Sequence, residues 1–145
     1  MSNRVLVVDD EPANVELIKA FLEDVADEIR GVTNSGEAET VFKEFAPDLL
    51  LLDLRMPAPD GLTLLRRLSK VRDNAGYLPV IVLTADNDKA ARHAAFELEV
   101  DDFLLKPLDR EEVRLRARNL LHTRHLFKQV THATGSFPRI YRAGK

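Results

Sequence analysis

Three short apolar runs in this chain stop at a carboxylate or a hydroxyl, and a fourth stops at an ammonium. Residues 5–8 lead into Asp9, Asp10 and Glu11, residues 49–52 into Asp53, residues 80–83 into Thr84, and residues 103–105 into Lys106 followed by Pro107. Runs of this length read as strands covered on both faces of a parallel sheet. In an open sheet of that kind ligands gather outside the carboxyl ends of the strands, so all of these side chains are expected at one edge. Three converging carboxylates need compensating positive charge to stay ionised at neutral pH. Lys106 and a divalent cation could supply it. Oxygen donors without His or Cys favour Mg²⁺ over zinc, with Mn²⁺ as the alternative, and bound Mg²⁺ keeps positions for phosphate oxygens. The implied substrate is a phosphoryl group. A carboxylate can attack phosphorus while cations and a hydroxyl donor hold the three equatorial oxygens, and Asp53, the metal, Lys106 and Thr84 fill those roles.

The segments between these runs carry helical spacing. Val15, Ile18, Leu22 and Val25 form one apolar stripe, Ala38, Val41, Phe42 and Phe45 a second, and Leu62, Leu65 and Leu68 a third. Helix starts are marked by Pro12, by Asn34 with Glu37 three residues on, by Asp60, and by Asp109 with Glu112 three residues on. A fourth, Ala-rich helix is expected over 87–98. The fifth is long, about 109–130, and its apolar positions (Val113, Ala117, Leu120, Leu121, Phe127) continue past the point where sheet packing should end, so it is expected to project. Residues 28–33 are half polar and read as an edge strand. Five β-α units in succession predict a doubly wound α/β sheet with right-handed crossovers.

Composition sets the bounds. The chain has 145 residues, 45% hydrophobic and 31% charged, with 6 Gly and 7 Pro. That is one domain's length, with enough apolar surface to offset chain entropy. No apolar run approaches the roughly 18 residues that a membrane span needs, and residues 5–8 are too few for a secretory signal. With no cysteine there is no disulfide, thiolate nucleophile or Cys-containing zinc site. These features fit a cytoplasmic protein without a membrane role. The net charge of −3 hides an asymmetry, because all 24 acidic residues lie before Val113 and only basic ones follow. The basic stretch lacks a dense Lys/Arg block or interleaved aromatics, so it reads as a solvated helix surface and linker rather than a nucleic-acid site.

At this point the chain resembles the receiver domain of two-component response regulators. The resemblance runs from about Arg4 to His122 and rests on Asp9-Asp10, the segment DLRMPAPDG from Asp53 to Gly61, Thr84-Ala85, and Lys106-Pro107 with Phe103 three residues earlier. It implies a flavodoxin-like five-stranded parallel sheet of order 2-1-3-4-5 with five helices. It also implies that Asp53 is the phosphoacceptor, taking its phosphoryl group from a sensor histidine kinase or a phosphotransfer protein. Asp9 and Asp10 would hold Mg²⁺ together with Asp53 and the backbone carbonyl of Arg55. Lys106 would pair with the acids and later with the phosphate, through a cis bond to Pro107. Thr84 and Phe103 would form the switch pair, and the signal would leave by helix four, strand five and helix five. Such a domain is a signalling switch rather than an enzyme, with only self-phosphorylation from a donor and slow autodephosphorylation.

Competing chemistries fit less well. A phosphatase of the haloacid-dehalogenase type wants a second Asp two residues after its nucleophile, where this chain has Arg55. A flavin site lacks a phosphate-cradling Gly/Ser/Thr-rich loop after the first strand. His93, His122, His125 and His132 read as surface positions. Arg55 and Asp86, which flank the phosphate in the family, carry opposite charges, and their contact is expected to shield the phosphoryl group. The domain division expected is 1–122 for the receiver and 123–145 for a helical extension and basic tail. No output domain fits the residues after His122, so the chain reads as a stand-alone receiver or a fragment of a longer regulator, with the fragment favoured by its long basic helix ending in patternless sequence. Homodimerisation through the helix four, strand five and helix five face, or through the extension, is a further expectation.

Overall fold

The structure, a computed structural model, describes residues 2–74, 76–85 and 88–134, with the side chains of 131–134 excepted. Five strands, β1 (Arg4–Val8), β2 (Glu28–Val32), β3 (Leu49–Asp53), β4 (Val80–Thr84) and β5 (Asp102–Leu105), pair in parallel in the order β2-β1-β3-β4-β5. The helices are α1 (Pro12–Phe21), α2 (Ala38–Phe45), α3 (Gly61–Asn74), α4 (Lys89–Glu97) and α5 (Arg110–Thr134).

The continuous apolar runs are explained by two cores. Leu6, Val8, Leu50, Leu52, Val80 and Val82 point to one face, where Phe42, Leu65 and Ala95 of α2, α3 and α4 cover them. Val5, Val7, Leu49, Leu51, Ile81 and Leu83 point to the other, against Val15 and Ile18 of α1 and Val113, Ala117 and Leu121 of α5. Alternate residues face opposite sides of a strand, so a strand covered on both sides must be apolar throughout. β2 lies at an edge and buries only Val32, as its half-polar sequence requires.

Local signals mostly set the helix starts. Pro12 occupies the first turn of α1, the Asp60 carboxylate accepts from Thr63 N at 2.9 Å, and that of Asp109 from Glu112 N at 2.9 Å. Asn34 behaves differently from expectation. Its side chain accepts from Gly36 N at 3.0 Å and caps a single 3-10 turn, Ser35–Glu37, before α2 begins at Ala38. α1 ends at Phe21, so Val25 packs from the turn that follows rather than from the helix. α4 begins at Lys89, later than expected.

The largest departure concerns α5, which stays on the body past His122. Arg124 Nε donates to Asp48 Oδ1 at 3.0 Å, Lys128 Nζ to the same oxygen at 3.0 Å, and His125 Nε2 meets Asn3 Oδ1 at 2.6 Å. The rings of Phe127 and Tyr77 lie 4.8 Å apart. The division expected at His122 therefore falls inside the packed part of the helix, and His125 is half-buried rather than a surface residue. Asp48, Tyr77 and Asn3 all sit at the amino ends of the strands, opposite the reactive edge. Charge pairing and ring packing there extend the contact of α5 by about two turns beyond its last sheet-facing residue, Leu121.

Candidate functional site

Each strand end delivers its residue to the expected edge. Asp9 follows β1 and is fully buried; Asp53 closes β3 and is 2% exposed; Thr84 closes β4 and is buried. Lys106 follows β5 and is placed by its own backbone, since its N–H donates to the Thr84 carbonyl at 2.9 Å. The Lys106–Pro107 peptide bond is cis, as is Ala58–Pro59.

Asp9, Asp10 and Asp53 bring a carboxylate oxygen each to within 4.8 Å of one another. Asp9 Oδ1 accepts from Glu11 N at 3.0 Å, and Asp9 Oδ2 accepts from Asn14 Nδ2 at 3.2 Å. Asp53 Oδ1 accepts from Arg55 N at 3.1 Å. The remaining Asp53 oxygen lies 3.2 Å from Lys106 Nζ, which is also 3.3 Å from Asp9 Oδ2. One ammonium thus faces two buried carboxylates.

Burial pushes the Asp53 carboxyl up to about 6; the Arg55 N–H opposes this, the Asp9 charge adds to it, and Lys106 opposes it. For Lys106, burial works against the charged form, but the Asp53 and Asp9 charges outweigh it and hold the ammonium above its usual range. A donor set of three close carboxylates, two of them buried, fits a hard divalent cation such as Mg²⁺.

The loop between β3 and α3 is held from three sides. Ser35 Oγ donates to the Pro57 carbonyl at 2.9 Å, Leu54 N to the Leu83 carbonyl at 3.3 Å, and Gly61 N to the Leu54 carbonyl at 3.1 Å. Gly61 is required by close approach, because a Cβ there would lie 2.4 Å from the Asp53 carbonyl oxygen. The absence of a side chain lets α3 start directly against the residue that carries the chemistry.

The Thr84 hydroxyl donates to the Ala85 carbonyl at 3.3 Å. Phe103 is half-buried, its ring edge-on to that of Phe96 with centroids 4.6 Å apart. Arg55 Nε is bound to Asp88 Oδ2 at 2.7 Å. The partner of Arg55 is thus two residues beyond the expected Asp86, which lies outside the described residues. The helical start expected at residue 87 concealed Asp88. Its one sequence signal is its place immediately before the Ala-rich stripe of α4.

The family model for the response regulator receiver domain matches residues 5–118. The transcriptional regulatory protein AruR of Pseudomonas aeruginosa is 38% identical over 141 residues, covering 94% of this chain and 54% of that protein. The cyclic di-GMP phosphodiesterase response regulator RpfG of Xanthomonas campestris is 36% identical over 129 residues, covering 87% of this chain and 34% of its own length. The chain therefore spans about half or less of the curated relatives it matches. Among solved structures, a Francisella response regulator receiver domain superposes with a TM-score of 0.73 at 28% identity, covering 83% of this chain and 98% of that one. NtrX of Brucella abortus gives 0.81 at 28% identity, covering 92% of this chain and 30% of that one.

Proposed function

Because the chain belongs to the response regulator receiver domain family, we propose that it is a phosphorylation-driven signalling switch with Asp53 as phosphoacceptor. One observation carries the reading: Lys106 Nζ stands 3.2 Å from the Asp53 carboxylate and 3.3 Å from that of Asp9. The ammonium keeps a buried nucleophile charged beside other acids and then faces the phosphoryl oxygens.

An Asp53 oxygen attacks phosphorus, forming an acyl-phosphate bond. The P–N bond of a donor phosphohistidine, or the P–O bond of a small acyl phosphate, breaks, and the leaving group keeps the bonding pair, the imidazole neutralised by a proton and the carboxylate departing as the anion. The donor is a sensor histidine kinase or phosphotransfer protein, and the setting is the cytoplasm. The protein's share is positioning and charge neutralisation. Arg55 N orients one Asp53 oxygen while the other stays on the Lys106 side. Asp9, Asp10, Asp53 and the Arg55 carbonyl would hold Mg²⁺, or Mn²⁺, which when bound supplies positive charge to the transferred group.

Phosphorylation adds about −1.5 to −2 charge at Asp53. Thr84 then leaves the Ala85 carbonyl for a phosphoryl oxygen, and Phe103 moves into the vacated space. This is a shift between two packings, limited by how differently the phosphate interacts with each. Arg55, with Asp86 as the second modulating residue, tunes hydrolysis of the phosphoryl group. Output leaves through α4, β5 and α5, where Phe96 is 59% and Leu105 39% exposed. A homodimer forms on that face or on the exposed Leu115, Leu126 and Val130 of α5; sedimentation showing a monomer both with and without beryllofluoride would count against it.

The test of the receiver reading is intact-protein mass after incubation with acetyl phosphate and Mg²⁺. One phosphoryl mass should be gained, and lost in Asp53→Asn and in EDTA. Folded protein that gains no mass from acetyl phosphate or from phosphohistidine donors would refute it.

A further inference from the structure

Arg55 is an unusual member of the site. Its side chain is 73% exposed, yet Nε is fastened at 2.7 Å to Asp88, whose side chain is only 8% exposed. The pair joins two segments at the reactive edge. One is the loop after β3, where Arg55 N already binds Asp53 Oδ1. The other is the start of α4, where the Asp88 carbonyl accepts from Arg92 N at 3.1 Å. Asp10, Leu54, Arg55, Met56, Asp88 and Ala91 line one open cleft of about 440 Å³ between these segments. The guanidinium therefore reaches across to Asp88 in this cleft, while the backbone of the same residue holds the Asp53 carboxylate.

We propose that Asp88 is a positioning residue for Arg55: it holds the guanidinium across the cleft, ties α4 to the loop after Asp53, and yields Arg55 to a phosphoryl group on Asp53. The proposal rests on the phosphoacceptor reading above and deepens it. The exchange follows from charge and from exposure. A phosphoryl group offers about −1.5 to −2 charge and three acceptor oxygens against the single charge of a carboxylate. The Arg55 side of the pair is in water, which weakens it, and when the guanidinium leaves, the Asp88 carboxylate keeps the Ala91 N–H and the nearby Arg92 charge. The backbone of Arg55 need not move, since its N–H is already on Asp53; only side-chain torsions change. Once the guanidinium departs, the first turn of α4 loses its tie to the loop after β3, and the phosphoryl group gains a cation that screens it from water. Hydrolysis, in which water adds to phosphorus, the P–O bond to Asp53 breaks and inorganic phosphate leaves, is slowed accordingly.

The experiment compares the full chain with Asp88→Asn, Arg55→Ala and the double variant. Each is phosphorylated with acetyl phosphate and Mg²⁺, and decay of the added mass is followed after donor removal. Hydrogen exchange in the first turn of α4 is measured with and without beryllofluoride. Asp88→Asn frees Arg55 and should lengthen the phosphoryl lifetime about two- to five-fold, the range set by an ion pair screened on its Arg55 side. Arg55→Ala should shorten it, and the double variant should match Arg55→Ala. In the unsubstituted chain beryllofluoride should raise α4 exchange, whereas both single variants should start high and rise no further. An Asp88→Asn effect of equal size with and without the Arg55→Ala change, or α4 exchange indifferent to beryllofluoride, would overturn the proposal alone. No mass gain in any chain would overturn the phosphoacceptor reading and this proposal with it.

Discussion

Removing the Arg124 guanidinium should destabilise the domain from the edge farthest from its chemistry. Asp48 is buried just before β3. Its Oδ2 accepts from Arg4 N at 2.9 Å, and its Oδ1 takes both Arg124 Nε and Lys128 Nζ at 3.0 Å. Arg124, itself buried, also donates to the Tyr77 carbonyl. Burial alone would raise the Asp48 carboxyl, but the Arg4 N–H, Arg124 and Lys128 together hold it below its usual range. Breaking a buried pair from one side costs about 3–5 kcal/mol. Lys128 remains in Arg124→Ala and is half-exposed, which brings the expected loss to about 2–3 kcal/mol at pH 7. In urea that is a midpoint shift of about 1–2 M at a slope typical of this size. The sign of the pH dependence follows from the lowered carboxyl: its contribution is present above the unfolded value near 4 and is lost as the pH falls through the folded value. The gap between the unsubstituted chain and Arg124→Ala should therefore close in acid. A chain ending at His122, which also lacks Phe127 and Lys128, should lose at least as much. Arg124→Ala unfolding within about 0.5 kcal/mol of the unsubstituted chain at pH 7, the range of an ordinary surface change, would refute the assignment of α5 beyond His122 to the packed body.

Three further outcomes test the reactive edge. In EDTA, Asp53→Asn should be about 1–3 kcal/mol more stable than the unsubstituted chain at pH 8, and the difference should vanish below about pH 4. A folded-state value raised to about 6 means that stability is lost as pH rises through it; thermal unfolding across pH checks the sign. Gly61→Ala should cost about 1–3 kcal/mol by overpacking and slow phosphoryl uptake, because the new Cβ would meet the Asp53 carbonyl at 2.4 Å and Leu54 Cα at 2.6 Å; urea denaturation and mass gain with time measure both. Lys106→Met should cut the rate of phosphoryl uptake by about tenfold or more, the scale of removing one preorganised charge from a transferred group; normal uptake would remove Lys106 from the chemistry.

Much of the fold was legible because it is encoded within a few residues. The unbroken apolar runs at 5–8, 49–52 and 80–83 require cover on both faces, and the side chains that end them go wherever the strands end. Pro12, Asp60 and Asp109 mark helix starts by satisfying or omitting N–H groups one turn away. The resemblance added the strand order and the identity of the acid cluster, and the observed sheet has that order. Local signals also misled where tertiary packing overrode them. Asn34 caps a 3-10 turn that leads into α2 because Ser35 reaches back to the Pro57 carbonyl, which fixes the loop beside the site.

Which charge meets which was decided only by the tertiary structure. Arg55 could be matched in sequence to Asp86 or to any nearby acid; the turn into α4 places Asp88 within reach. Asp48 and Arg124 are 76 residues apart, and nothing in either segment announces the other. The sequence specifies periodicity and end signals because these depend on neighbours along the chain. Ion pairs, ring contacts and the extent of the packed helix depend on side-chain directions after the sheet has formed, when residues remote in sequence share one low-dielectric space and a missing partner becomes costly.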